Sequence, residues 1–218
     1  MRTLLLVALA LSMTGCSQIT TPLTPPPPTP RPVVPEVHPL PGRGIGIDGK
    51  GSAQTEEISP DYGGSLSVGI AVVTLSHRGQ SSFIVTAVQG GQSEVLTSAI
   101  GPYQGQRPLV VINAVAFDVT ADGDWSLKVQ PMNNGGTATF SGSGDQVSAY
   151  FMPPPAATWS IMHDGQSPFL VYAHCVGGSV LVADATGPVQ DQPRLTFGRG
   201  PCFWEVRGDG NWSLKPTT

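Results

Sequence analysis

The chain holds 218 residues, of which 27 are Gly and 22 Pro, with 39% hydrophobic and only 12% charged. Its net charge of −4 excludes a nucleic-acid binder that works through a basic face. So much Gly and Pro also excludes an architecture of long helices and points to turns and extended chain.

The first segment reads as an export signal. Arg2 precedes an apolar run from Leu4 to Leu11 that is too short to span a bilayer, and small residues follow it. Met13-Thr14-Gly15-Cys16 then resembles the lipobox of bacterial lipoproteins, with Met13 where Leu is usual. That resemblance implies cleavage before Cys16, lipidation of its thiol and a membrane partner through the lipid anchor. Residues 1–15 are accordingly the signal peptide. Ser17 after the Cys resembles outer-membrane sorting in a cell with two membranes, so the expected location is the cell envelope.

Residues 16–44 read as the lipidated Cys followed by a Pro-rich linker. Ten of the twenty residues from Pro22 to Pro41 are Pro. Proline fixes φ and removes a donor, so the expected state is polyproline II at about 3.1 Å per residue, roughly 60 Å of reach. The five glycines of Gly42–Gly51 read as a flexible joint.

The remainder is one sequence written twice. His77-Arg78-Gly79-Gln80-Ser81-Ser82-Phe83 recurs as His163-Asp164-Gly165-Gln166-Ser167-Pro168-Phe169. Gly101-Pro102-Tyr103-Gln104-Gly105-Gln106 recurs as Gly187-Pro188-Val189-Gln190-Asp191-Gln192, and Asp122-Gly123-Asp124-Trp125-Ser126-Leu127-Lys128 as Asp209-Gly210-Asn211-Trp212-Ser213-Leu214-Lys215. The repeats occupy residues 45–131 and 137–218. Within each, apolar residues alternate with polar ones at period two, as in Trp125, Leu127 and Val129. Asp-Gly ahead of each Trp reads as a hairpin turn. The expected fold is all-β: two tandem small antiparallel β-sandwich units, jelly-roll-like or immunoglobulin-like, after a disordered Pro-rich linker.

These blocks, with Phe140-Ser141-Gly142-Ser143-Gly144, resemble a β-sandwich repeat of bacterial secreted and lipid-anchored proteins. The resemblance implies the fold and no biochemical activity, and the first repeat lacks a clear counterpart of Phe140–Gly144.

Few residues invite chemistry. Cys175 and Cys202 both fall in the second repeat, with Gln89 and Val115 at the matching positions of the first. In an exported protein such a pair is a disulfide candidate. His77 and His163 recur beside Gly-Gln-Ser but show no nucleophile elbow, and they read as turn-packing histidines or weak ligand-binding candidates. Asp122 with Asp124, and Asp209 with Asn211, offer too few donors to cage a metal, and no cofactor is expected. All four Trp fall on the inward phase. Sugar binding would therefore rest on tyrosines, with Tyr103 and Tyr172 the candidates and Tyr172 on an outward phase.

The expected function is non-enzymatic: a lipid-anchored cell-envelope protein displaying two β-sandwich modules for structural or adhesive contacts with an envelope protein. The alternative is a carbohydrate-binding lipoprotein that docks wall or surface polysaccharide.

Overall fold

A computed structural model describes residues 34–63, 68–154 and 156–217. The signal peptide, Cys16 and the linker up to residue 33 lie outside the described residues. The first repeat contributes β1 (Glu36–Leu40), a single 3-10 turn at Pro41–Arg43, β2 (Gly44–Lys50), β3 (Ala53–Gln54), β4 (Val68–His77) and β5 (Ser82–Gln89). It continues with β6 (Gln92–Ile100), β7 (Tyr103–Ile112), β8 (Ala116–Thr120) and β9 (Asp124–Pro131). The second repeat contributes β10 (Phe140–Ser143), β11 (Gln146–Val147), β12 (Ala156–His163), β13 (Pro168–Cys175) and β14 (Gly178–Thr186). It ends with β15 (Val189–Asp191), β16 (Arg194–Thr196), β17 (Cys202–Arg207) and β18 (Asn211–Thr217).

Each repeat is a sandwich of two antiparallel sheets. The first stacks β1-β2-β9-β4-β7 on β3-β8-β5-β6; the second stacks β10-β18-β12-β15, with β16 also on β12, on β11-β17-β13-β14. Alternation decides what enters each core. Val73, Leu75, Leu127 and Val129 meet Phe83, Val85, Phe117 and Val119 in the first, while Trp159, Ile161 and Leu214 meet Phe169, Val171 and Trp204 in the second. All four Trp are buried.

Pairing begins at Glu36, inside the segment read as linker. β1 pairs with β2 at the end of its sheet, and an edge position tolerates Pro39. Most of the glycine-rich stretch read as a joint is strand β2, paired to β9 from Ile45 to Lys50. Glycine is required there: a Cβ on Gly49 would collide with the ring of Trp125.

That register also supplies the counterpart of Phe140–Gly144 that was not visible in the first repeat. Gly49 lies opposite Trp125 as Gly142 lies opposite Trp212, so Ile47-Asp48-Gly49-Lys50-Gly51 matches Phe140-Ser141-Gly142-Ser143-Gly144. The two final glycines have φ of 68° and 67°, and each accepts a 2.8 Å hydrogen bond from the matching indole Nε1. Two polar indole groups are thereby paired inside otherwise apolar surroundings.

The Asp-Gly blocks do not form hairpins, as the sequence pattern suggested. They carry the chain from one sheet to the other, as do the His-X-Gly-Gln-Ser and Gly-Pro blocks. His77 Nδ1 donates to Gly101 O at 2.9 Å, and its Nε2 stands 3.2 Å from Asp122 Oδ1. Asp122 Oδ2 accepts from the amides of Gln80 and Ser81, both at 3.0 Å. His163, Gly187, Asp209, Gln166 and Ser167 repeat the arrangement. Each imidazole also stacks on the following Phe, with 4.6 Å between the centroids of His77 and Phe83. The strongly repeated blocks are thus three of the crossovers of each sandwich, tied together by one buried histidine.

Cys175 and Cys202 form a disulfide. They face each other on β13 and β17 while Cys202 exchanges its backbone hydrogen bonds with Phe151. Cys175 and Cys202 are therefore a non-hydrogen-bonded pair, whose closer backbones suit a cross-strand bridge.

Candidate functional site

Both sandwiches belong to one compact unit, Pro32–Thr218. They meet where β7 runs beside the segment leading into β11. Gln106 N donates to Asp145 O at 2.9 Å, and Gln106 Oε1 accepts from Val147 N at 3.1 Å. The Asp145 carboxylate closes the joint. Its Oδ2 accepts from the Tyr103 hydroxyl at 2.7 Å and from Arg107 Nη2 at 2.8 Å, and its Oδ1 accepts from Gly208 N at 2.9 Å.

Arg107 is nearly buried and spends its other donors on Leu96 O and Gln106 O. A planar guanidinium with several fixed donors suits such a site better than a lysine would. Burial pushes the Tyr103 phenol up to about 12, with Arg107 lowering it and Asp145 raising it. Beside this clamp Met132, Val147 and Phe203 form a small apolar cluster with Ile70, Val72 and Tyr150, joining residues of both repeats.

Next to the joint lies a groove of about 550 Å³ with walls from both sandwiches. The first contributes Ile70, Glu94, Val95, Pro108 and Val110; the second contributes Tyr150, Tyr172, His174, Val176 and Arg207, among others. Its volume and mixed apolar and polar lining fall in the range of sites that take a ligand or a partner's side chain. Val95, Val110 and Val176 are 61%, 49% and 65% exposed, so the apolar walls are open to solvent.

The polar floor is built around Glu205, whose side chain is only 3% exposed. Its Oε2 accepts from His174 Nε2 and its Oε1 from Arg207 Nε, at 2.9 and 2.8 Å. His174 Nδ1 shares a hydrogen bond with the Ser179 hydroxyl at 2.7 Å. Burial alone would raise the Glu205 carboxyl, but the His174 hydrogen bond and the Arg207 charge bring it below its ordinary value. The Arg207 guanidinium also stands 5.9 Å over the Tyr172 ring, and His174 stacks on Phe203. Glu94 faces this floor from the first sandwich. Partial burial raises its carboxyl, the charge of Glu205 adds to that, and Arg207 opposes it.

No family model matches the chain, and no curated protein matches it either. Among solved structures, the insecticidal delta-endotoxin Cry8Ea1 from Bacillus thuringiensis is similar over 85% of this chain at 8% identity, with a TM-score of 0.25. The chain spans 52% of that protein's chain.

The sequence candidates separate clearly in space. Tyr172 lies on the groove wall and Cys175 beside it. Tyr103 is part of the clamp, half-buried, with its hydroxyl bonded to Asp145. His77 and His163 are buried in the crossovers and do not line the groove. Among the described residues no cluster of three His, Cys, Asp or Glu is placed to hold a metal ion.

Arg107, Asp145, His174, Glu205 and Arg207 were not singled out from the sequence, although a signal for them exists there. All but Glu205, which matches the carboxylate of Asp118, fall where the two copies differ. Strand register matches Tyr103 with Val189 and Arg107 with Pro193, and Ser52 with Asp145. It also matches Thr86 with Tyr172, Val88 with His174, Ala116 with Phe203 and Thr120 with Arg207. Residues shared by both copies make the fold, and those that depart from the shared pattern supply most of the joint and the groove, with Gln106 (Gln192 in the second copy) and Glu205 (Asp118 in the first) the exceptions.

Proposed function

We propose that this is a non-enzymatic, lipid-anchored protein of the cell envelope whose two sandwiches act as one rigid contact module. The observation that carries the reading is the composite groove, with walls from both sandwiches and a buried Arg107–Asp145 clamp beside it. A joint with a nearly buried ion pair and its own apolar cluster holds two modules in one orientation, which a simple pair of beads on a string does not need. The lipobox at Cys16 and the Pro-rich segment support an anchor and a spacer. The role is structural or adhesive contact with a neighbouring envelope protein.

A photo-crosslinking residue placed at Val95 or Val176 in cells tests this, with exposed Met162 on the outer side of β12 as the control position. One dominant adduct from the groove positions and none from Met162 is expected. Equal labelling from all three would refute the groove as the contact face. For the anchor, Cys16→Ser should release the protein from the membrane fraction and remove the mass of the acyl chains.

A second reading, docking of wall or surface polysaccharide, is favoured by Tyr172, whose ring is on the groove wall. Retention on polysaccharide that falls with Tyr172→Ala and survives Tyr103→Phe would select it.

A further inference from the structure

The groove has one carboxylate with no ion pair of its own among the described residues. Asp145 is neutralised by Arg107 at 2.8 Å. Two carboxylates, Glu94 and Glu205, then share the single guanidinium of Arg207, which is bonded to Glu205. His174 is the remaining group of the floor, and its two ring nitrogens are taken by the Glu205 carboxylate and the Ser179 hydroxyl. Among the described residues Glu94 makes no ion pair. It stands at the mouth of a groove whose walls, Val95, Val110 and Val176, are apolar and exposed, with the Tyr172 ring at the side. An apolar channel leading to an unmatched carboxylate is the complement of a long alkyl stem that ends in a cation.

We infer that the groove receives a lysine or arginine side chain of a partner polypeptide, its stem along the valines and its cation between Glu94 and the Tyr172 ring. The Tyr172 face adds a cation–π contact to the ion pair. A neutral sugar would use the ring and leave Glu94 without a counter-charge, so charge complementarity favours the basic side chain. The partner's flanking backbone would run along the exposed mouth. This rests on the reading of the groove as the contact face and adds to it the chemistry of what enters.

The test is a chemical-shift titration of the isotope-labelled full chain with N-acetyl-lysine methylamide and with its neutral counterpart, N-acetyl-norleucine methylamide. The lysine derivative should bind roughly fivefold more tightly, since an exposed ion pair and a cation–π contact together supply about that factor. Its shifts should centre on Glu94, Val95 and Tyr172. Glu94→Gln should remove the preference while leaving the rest of the spectrum and the melting temperature unchanged, and Glu94→Lys should reverse it. Equal affinity for the two compounds, shifts centred elsewhere, or no binding of either would each overturn the inference. Its failure differs from failure of the contact role. Cross-links from Val95 without a lysine preference would remove the cation and keep the contact face. A lysine preference without such cross-links would support the groove chemistry and remove the envelope contact.

Discussion

Replacing Asp145 with Ala removes the carboxylate that joins the two sandwiches, and the structure sets the scale of the loss. Three hydrogen bonds disappear, those from Tyr103, Arg107 and Gly208. At about 1.5 kcal/mol each, the low end for bonds to a charged partner, their sum is about 4–5 kcal/mol. Water entering the emptied site returns about 1 kcal/mol, which leaves about 3–4 kcal/mol. The part lost with Arg107 leaves its cation nearly buried without a counter-ion, so the two partners should be strongly coupled. Arg107→Met alone should cost about 2–3 kcal/mol. The double variant should cost about what Asp145→Ala costs alone, a coupling of about 2 kcal/mol or more. Urea unfolding followed by tryptophan fluorescence measures all three. A loss below about 1 kcal/mol for Asp145→Ala, or additive losses in the double variant, would refute the clamp.

Reducing the Cys175–Cys202 bridge, or replacing both residues with Ser, should cost about 2–4 kcal/mol, the entropy of closing a loop of 27 residues. Thermal melts with and without reductant report it, and a Cys-free variant should no longer respond to reductant. Gly49→Ala should cost about 2–3 kcal/mol because its Cβ meets the packed Trp125 ring, while Gly142→Ala should cost under about 1 kcal/mol because its Cβ meets only the movable end of Gln146. Chemical denaturation of the two variants compares them directly. Asp122 and Asp209 have carboxyls held below the ordinary range, first by the amides of Gln80 and Gln166 respectively. Their contribution is complete above the unfolded value of about 3.9 and is lost as pH falls through the folded pKa. Asp122→Asn and Asp209→Asn should therefore lose less stability than the parent between about pH 4 and pH 2, as read from acid unfolding curves.

Much of the fold is legible because period-two alternation is a local property. Trp125, Leu127 and Val129 declare an inward face without knowledge of any partner strand, and the structure buries all three. Sheet membership is not local. Asp122-Gly123 has the composition of a hairpin turn, yet Asp122 is spent on the amides of Gln80 and Ser81, some forty residues earlier, and the chain changes sheet there. The Gly42–Gly51 stretch misleads for a related reason. Gly49 reads as flexibility, whereas its missing side chain makes room for the ring of Trp125, far along the sequence. Of the groove, only Tyr172 could be reached from the pattern, because its outward phase on a strand is visible without a partner. Glu205 has the same outward phase and the composition of a surface residue. It is buried because Tyr172, His174 and Phe203 surround it and because the first sandwich covers that face.

The joint also explains why two copies of one sequence give a single site. A second joint of the same kind, extending from the far edge of the second sandwich, would need a hydroxyl and a guanidinium where Val189 and Pro193 stand. Neither side chain can donate to a carboxylate, and Pro193 interrupts the edge by separating β15 from β16, where the first sandwich has the unbroken β7. The first sandwich, in turn, has Ser52 where Asp145 would be needed to cap a preceding module. The donor surface therefore exists only on the first copy and the acceptor only on the second. Head-to-tail addition stops at two, in contrast to repeat arrays whose neighbours share one interface. The same loss of equivalence places Tyr172, His174, Phe203 and Arg207 on one face only, since the matching face of the first sandwich carries Thr86, Val88, Ala116 and Thr120. The side chains that end the series are thus those of the clamp, and the face they leave unique is the one that forms the groove.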